Sequence, residues 1–127
     1  MTTPSFGCDV CWPDNADQAW INHASLVITQ RVVDESHYIV KLHQCPHCQQ
    51  QFVSVFSERV DWLDGEDPQD RQVMPITPAE CEGLRHLPDP LALYQLAPKR
   101  QSLHWELPKG EDRRVRWRQG LYPVPHD

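Results

Sequence analysis

Cys8-Asp9-Val10-Cys11 and Cys45-Pro46-His47-Cys48 share one spacing, C-x2-C, and 33 residues separate the two pairs. This repeat constrains the fold more than any other feature of the chain. Two residues between cysteines let both thiolates of a tight knuckle point at one cation, with zinc–sulfur distances near ~2.3 Å. Two knuckles close a tetrahedron with no open position, the mark of a structural zinc site. The expected ligands are therefore Cys8, Cys11, Cys45 and Cys48, and the expected cofactor is Zn2+. Iron is the lesser alternative for four thiolates. Residues 12–44 must bring the second knuckle back to the first, and they suffice for one short helix and one hairpin. Apolar residues make up only 39% of the 127, so a metal staple would supply much of the stability. The fifth cysteine, Cys81, has no cysteine nearby in sequence and reads as a buried, inert thiol.

The local signals fit this plan. Asp14 or Asn15 can cap a helix over Ala16–His23, with Trp20 and Ile21 as buried candidates. Residues 26–33 and 37–43 read as a β-hairpin, and residues 51–60 as a third strand. Residues 61–71 form a polar, acidic loop with a turn at Gly65. Residues 72–76 predict a short edge strand, since Pro75 lacks a ladder donor. Thr77-Pro78-Ala79-Glu80 carries an N-cap, a first-turn proline and a capping-box glutamate, which predicts a helix over residues 78–86. Asp89-Pro90 can start another short helix through Leu96. Residues 103–107 and 114–118 alternate and predict a C-terminal hairpin or a partner-ordered tail, with Trp105 and Trp117 packed across the strands. The expected architecture is α+β: one domain over residues 1–127, with a three-stranded antiparallel sheet in residues 8–60, the acidic loop, and a helical and hairpin extension over residues 72–127.

The run Leu42-His43-Gln44-Cys45-Pro46-His47-Cys48, entered and left by strands, resembles the second knuckle of a zinc ribbon. Cys8-Asp9-Val10-Cys11 would be the first. The chain is similar to small stand-alone bacterial zinc-ribbon proteins in which an acidic loop like Trp62-Leu63-Asp64-Gly65-Glu66-Asp67-Pro68 follows the ribbon. The resemblance implies a metal-stabilised fold and no one function, because ribbons serve many roles. It departs from common ribbons after each second cysteine, where Trp12 and Gln49 replace the frequent glycine. His47 could substitute for a cysteine ligand but reads as solvent-facing. His43 could support the site from behind or occupy a strand surface.

Charge is uneven. From Glu58 to Asp70, six acids face Arg59 alone, whereas residues 98–119 hold seven bases against three acids. The net charge of −6 disfavours non-specific nucleic-acid binding. The acids lack the spacing of a calcium loop. The expected partner is therefore a basic protein, bound through Asp61, Trp62, Asp64, Glu66 and Asp67, as in a bacterial immunity or inhibitor protein. No run approaches the ~18 apolar residues of a membrane span, and no signal peptide is seen, so the expected location is the cytoplasm. Two rival readings stand beside this one. Lys99 to Arg118, with the tryptophans, could bind nucleic acid. Cys45-Pro46-His47-Cys48 is identical to the active-site tetrapeptide of DsbA-type thiol oxidases, but that chemistry needs a helix after Cys48 to lower a thiolate pKa, and residues 51–60 favour a strand. No catalytic residue is expected.

Overall fold

The computed structural model describes residues 6–65, 67–86, 93–94 and 99–124. Asn15 caps α1 (Ala16–His23), its side chain accepting the Gln18 backbone N–H at 2.9 Å. Ala19 is the residue of α1 that is buried against the sheet, while Trp20 is half-buried and Ile21 is 65% exposed, contrary to the expectation for the last two. Four strands follow: β1 (Val27–Glu35), β2 (Tyr38–Gln44), β3 (Gln51–Glu58) and β4 (Gln69–Ile76). Then come α2 (Pro78–Arg85), β5 (Gln101–Leu107) and β6 (Arg114–Gln119).

The strands form one antiparallel sheet of six, in sequence order β1 to β6, not a sheet of three. The difference arises at β4. It begins at Gln69 and pairs with β3 along its whole length, from Glu58↔Gln69 to Gln51↔Ile76, and with β5 from Gln69↔Leu107 to Val73↔Leu103. It is an interior strand, not an edge. Pro75 is tolerated because the β4–β5 ladder has ended two residues earlier, where the Arg100 guanidinium donates to the Pro75 carbonyl at 2.8 Å. The C-terminal hairpin exists as expected but continues the sheet. Of the helix expected from Asp89 to Leu96, only residues 93–94 lie among the described residues, and both are helical.

Period-two alternation splits the core between two faces. One face carries Val40, Leu42, Val53, Val55, Met74 and Ile76, covered by Cys81 and Leu84 of α2, by Leu93 and by Leu121. Cys81 is buried there, as expected. The opposite face carries Phe52, Val73 and Leu103 under α1 and the two cysteine knuckles. Helix α2 starts with both halves of a capping box: Thr77 Oγ1 accepts the Glu80 N–H at 3.2 Å, and Glu80 Oε1 accepts the Thr77 N–H at 2.8 Å. Thr77→Ala should cost about 1 kcal/mol in a denaturant titration.

Beyond the apolar cover, the first face turns polar over β5. His104 is 2% exposed, and its Nε2 donates to Ser102 Oγ at 3.1 Å, while that hydroxyl donates to the Gly120 carbonyl at 2.7 Å. Burial pulls the His104 pKa down from 6.5 to about 4. The folded imidazole stays neutral where the unfolded one takes a proton. Its contribution is therefore present above pH 6.5 and lost as pH falls from 6.5 toward 4, by at most about 3 kcal/mol. In urea titrations at pH 7 and pH 4.5, His104→Gln should lose less stability on acidification than the unsubstituted protein.

Candidate metal centre

The first knuckle depends on Gly7. Its φ is +73°, and a Cβ there would stand 2.7 Å from Trp12 Cβ and 2.9 Å from Cys11 Sγ, so no larger residue fits. The chain turns with Trp12 N–H on the Cys8 carbonyl at 2.8 Å, and Gln50 Oε1 accepts the Gly7 N–H at 3.1 Å, tying one knuckle to the other. The second knuckle lies between β2 and β3. Cys45 N–H donates to the Gln50 carbonyl and Gln49 N–H to the Cys45 carbonyl, both at 2.9 Å, and the His47 N–H points at Cys45 Sγ at 3.4 Å. The His47 residue itself is exposed.

The missing glycine after Cys48 has a visible consequence. Gln49 adopts φ +65°, the left-handed conformation a glycine would take without cost. The penalty for an L-residue there is roughly 1–2 kcal/mol. Gln49→Gly should therefore raise the melting temperature, by an amount corresponding to about 0.5–1 kcal/mol after the entropy of the freer unfolded chain is subtracted. After the other knuckle no glycine is needed, since Trp12 takes no positive φ and packs its ring on Phe52 at 5.4 Å and Trp117 at 4.8 Å.

The strands thus bring all four expected ligands together. Cys8, Cys11, Cys45 and Cys48 place their Sγ atoms within 4.8 Å of one another, with separations of 3.7 Å for Cys8–Cys11, 3.9 Å for Cys8–Cys45 and 3.7 Å for Cys11–Cys48. A tetrahedron with zinc–sulfur bonds of about 2.3 Å has edges of about 3.8 Å, so the donor set fits a tetrahedral thiophilic cation. Cys11 and Cys45 are buried and Cys48 faces solvent. Burial pushes the Cys11 and Cys48 thiols up, whereas Cys8 falls to about 7 because the Cys11 backbone N–H donates to it. A bound metal ion would supply the positive charge that four adjacent thiolates require. Among the described residues this is the one cluster of three or more such side chains able to hold a metal.

The chain was compared with protein-family models, curated proteins and solved structures, and it matches none of them. No helix among the described residues is long and apolar enough to cross a membrane.

His43 is not on a strand surface. It is 5% exposed, its Nε2 lies 2.7 Å from Ser54 Oγ, and its ring meets His23 at 4.9 Å. β2 buries it because α1 lies over that face. Trp105 and Trp117 share this face too, but each packs on another aromatic: Trp105 stacks on Trp20 at 5.7 Å, and Trp117 meets Trp12 edge-on. The arginines of β6 alternate to the opposite face, so the tryptophans and these arginines do not form one surface.

The acidic loop is built from its own charges. Asp61 Oδ1 accepts the Leu63 and Asp64 N–H groups at 3.2 and 3.3 Å, and Asp67 Oδ1 accepts the Asp61 N–H at 2.8 Å. Lys109, from the β5–β6 turn, reaches Asp61 and Asp64 at 2.9 Å each and holds the Asp61 carboxyl below its usual range. Glu66 lies outside the described residues. What the loop presents to solvent is Trp62, 86% exposed, and Leu63, 91% exposed. Leu63 and Lys109 were not among the expected site residues. The adjacency Trp62-Leu63 before an Asp-Gly turn was a signal for the first, but nothing local could reveal the second.

Proposed function

We propose that this chain is a non-enzymatic, zinc-stapled protein-binding module that docks on a basic partner through its β3–β4 loop. The observation that carries the reading is the tip itself. Two adjacent large apolar side chains stand almost fully in water on a loop shaped by hydrogen bonds and ion pairs from Asp61, Asp67 and Lys109. Such exposure is unfavourable until a partner covers it, and a Trp anchor beside carboxylates suits a surface rich in Lys and Arg. An immunity or inhibitor protein that covers a cationic target is the concrete form. The zinc centre supports the loop from a distance, by fixing the sheet.

Two measurements test this. A photo-crosslinking amino acid at Trp62, used in native cytosol, should capture basic proteins, and the same probe with Leu63→Ser should lose them at unchanged melting temperature. Capture that is unaffected by Leu63→Ser, or confined to acidic proteins, would sink the proposal. The non-enzymatic part predicts that Cys45 and Cys48 react slowly with iodoacetamide until a chelator removes the metal, because both sulfurs serve as ligands and β3, a strand, follows them. Rapid alkylation with metal still bound would favour a thiol-redox role instead.

A further inference from the structure

The sheet has two edges, and they differ. Strand β1 pairs with β2 through two register breaks, between Ile28 and Gln30 and between Arg31 and Val33. Bulges of this kind twist an edge away from further pairing. Strand β6 pairs with β5 in unbroken register from Gln101↔Gln119 to Glu106↔Arg114, and no described strand lies on its other side. Among the described residues, no backbone hydrogen bond reaches that outer side.

The side chains of β6 alternate without interruption. Arg114, Arg116 and Arg118 point to one face, and Val115 and Trp117 to the other. Successive arginines are about 6.8 Å apart, the two-residue repeat of an extended chain. All three converge on Glu106 of β5: Arg114 Nε donates to Oε2 at 3.2 Å, Arg116 Nε and Nη2 to Oε1 at 3.1 and 2.9 Å, and Arg118 Nη1 lies 3.9 Å from Oε1. Glu106 is buried, while the arginine side chains remain 53, 51 and 38% exposed. Asp70, opposite Glu106 on β4, is the other carboxylate of this row. Three guanidinium groups against two inboard carboxylates leave the outer rim positive. Glu106 thus acts as a positioning residue, holding a ladder of cations along an open strand.

We propose that β6 is a docking edge for an extended acidic peptide segment of a partner protein, which adds a seventh antiparallel or parallel strand with acids opposite Arg114, Arg116 and Arg118 and apolar residues beside Val115 and Trp117. Backbone bonding supplies the attachment, and cross-strand charge pairs supply the choice of sequence. A second copy of this chain does not suit the site: β6 against β6 opposes arginine to arginine, and β1 is bulged. The alternation also favours a peptide over nucleic acid, since stacking aromatics would have to share the arginine face. This surface is separate from the Trp62-Leu63 tip and does not rest on the function proposed for it.

The test uses the full zinc-loaded chain and a labelled dodecapeptide of alternating Glu and Val. The peptide should bind and slow amide exchange at alternate residues of 114–119. The Lys-Val counterpart should not bind. A Glu-Pro counterpart, which keeps the charge but lacks half the backbone donors, should bind at least about tenfold more weakly, and Arg116→Glu should weaken the Glu-Val peptide about tenfold. If Arg116→Glu misfolds, Arg116→Gln and the exchange pattern of the unsubstituted chain decide. Failure of the Glu-Val peptide to bind would mean that the arginines merely guard the edge against aggregation, and would overturn the proposal. So would equal binding of the Glu-Pro peptide or of a twelve-nucleotide thymidine strand, or binding that leaves exchange in β6 unchanged.

Discussion

Cys45→Ser should release the metal and lower the melting temperature by about 15–25 °C. Structural zinc contributes about 10–16 kcal/mol to folding in zinc-finger peptides, where almost nothing else holds the chain. Here a six-stranded sheet has its own core on the α2 side, so the loss is smaller, about 5 kcal/mol, which a domain of this size registers as a shift of that order. The loss should be local at first. Trp12 follows Cys11 and touches both Phe52 and Trp117, so its fluorescence should change before strands β2 and β3 melt. Chelation should reproduce the shift, and added Zn2+ under reducing conditions should reverse it. Cys81→Ala is the control: it removes a buried thiol beside α2 and should leave metal content unchanged. Elemental analysis and calorimetry together decide the matter. Metal-free protein, freshly purified under reducing conditions, that melts where the loaded protein does would show that the four sulfurs are not a staple.

What the sequence could show, and what it could not, divides along the range of the interactions involved. Helix α1 has the bounds expected of it because Asn15 and the residues after it carry their own cap. Helix α2 starts where Thr77-Pro78-Ala79-Glu80 says it must. The four cysteines were legible because thiolate spacing is a local constraint with a distant consequence. The six-stranded sheet was not. Pro75 marks an edge only if a neighbour is sought along the full strand, and β5 pairs with β4 only up to Val73. Gln69, Asp70 and Arg71 look like loop residues, yet each has a tertiary use: Gln69 donates to Glu58 at 2.8 Å, Asp70 stands opposite Glu106, and Arg71 lies over the Phe56 and Trp105 rings. The burial of His43 depends on α1 crossing above it, and the capture of Asp61 and Asp64 by Lys109 joins residues more than forty positions apart. Neither contact has a local signature.

Phe52→Ala tests whether the metal centre and the sheet are one cooperative unit. Phe52 is fully buried on β3, four residues after the last ligand, between His43 of β2 and Pro75 of β4. It belongs to the same cluster as Cys11, Cys45, Val73 and Leu103, and its ring meets Trp12 of the first knuckle. Truncation removes a full aromatic from a position that cannot collapse, since strands hold it on both sides and the cysteine knuckles pack against it. The expected cost is about 3–5 kcal/mol, whereas Phe52→Leu, which leaves most of the volume filled, should cost less than half of that. A second effect comes from its position. With Phe52 gone, Trp12 loses its support, the first knuckle gains freedom, and metal should be lost at lower chelator concentration. The two perturbations must then be coupled. In a Cys45→Ser background the knuckle is already released, and Phe52→Ala should cost about 1–2 kcal/mol less than it does in the intact chain. Additivity of the two substitutions within about 0.5 kcal/mol would mean that the sheet folds without reference to the four-cysteine centre, and a metal held there would then be an attachment to the fold and not part of its core.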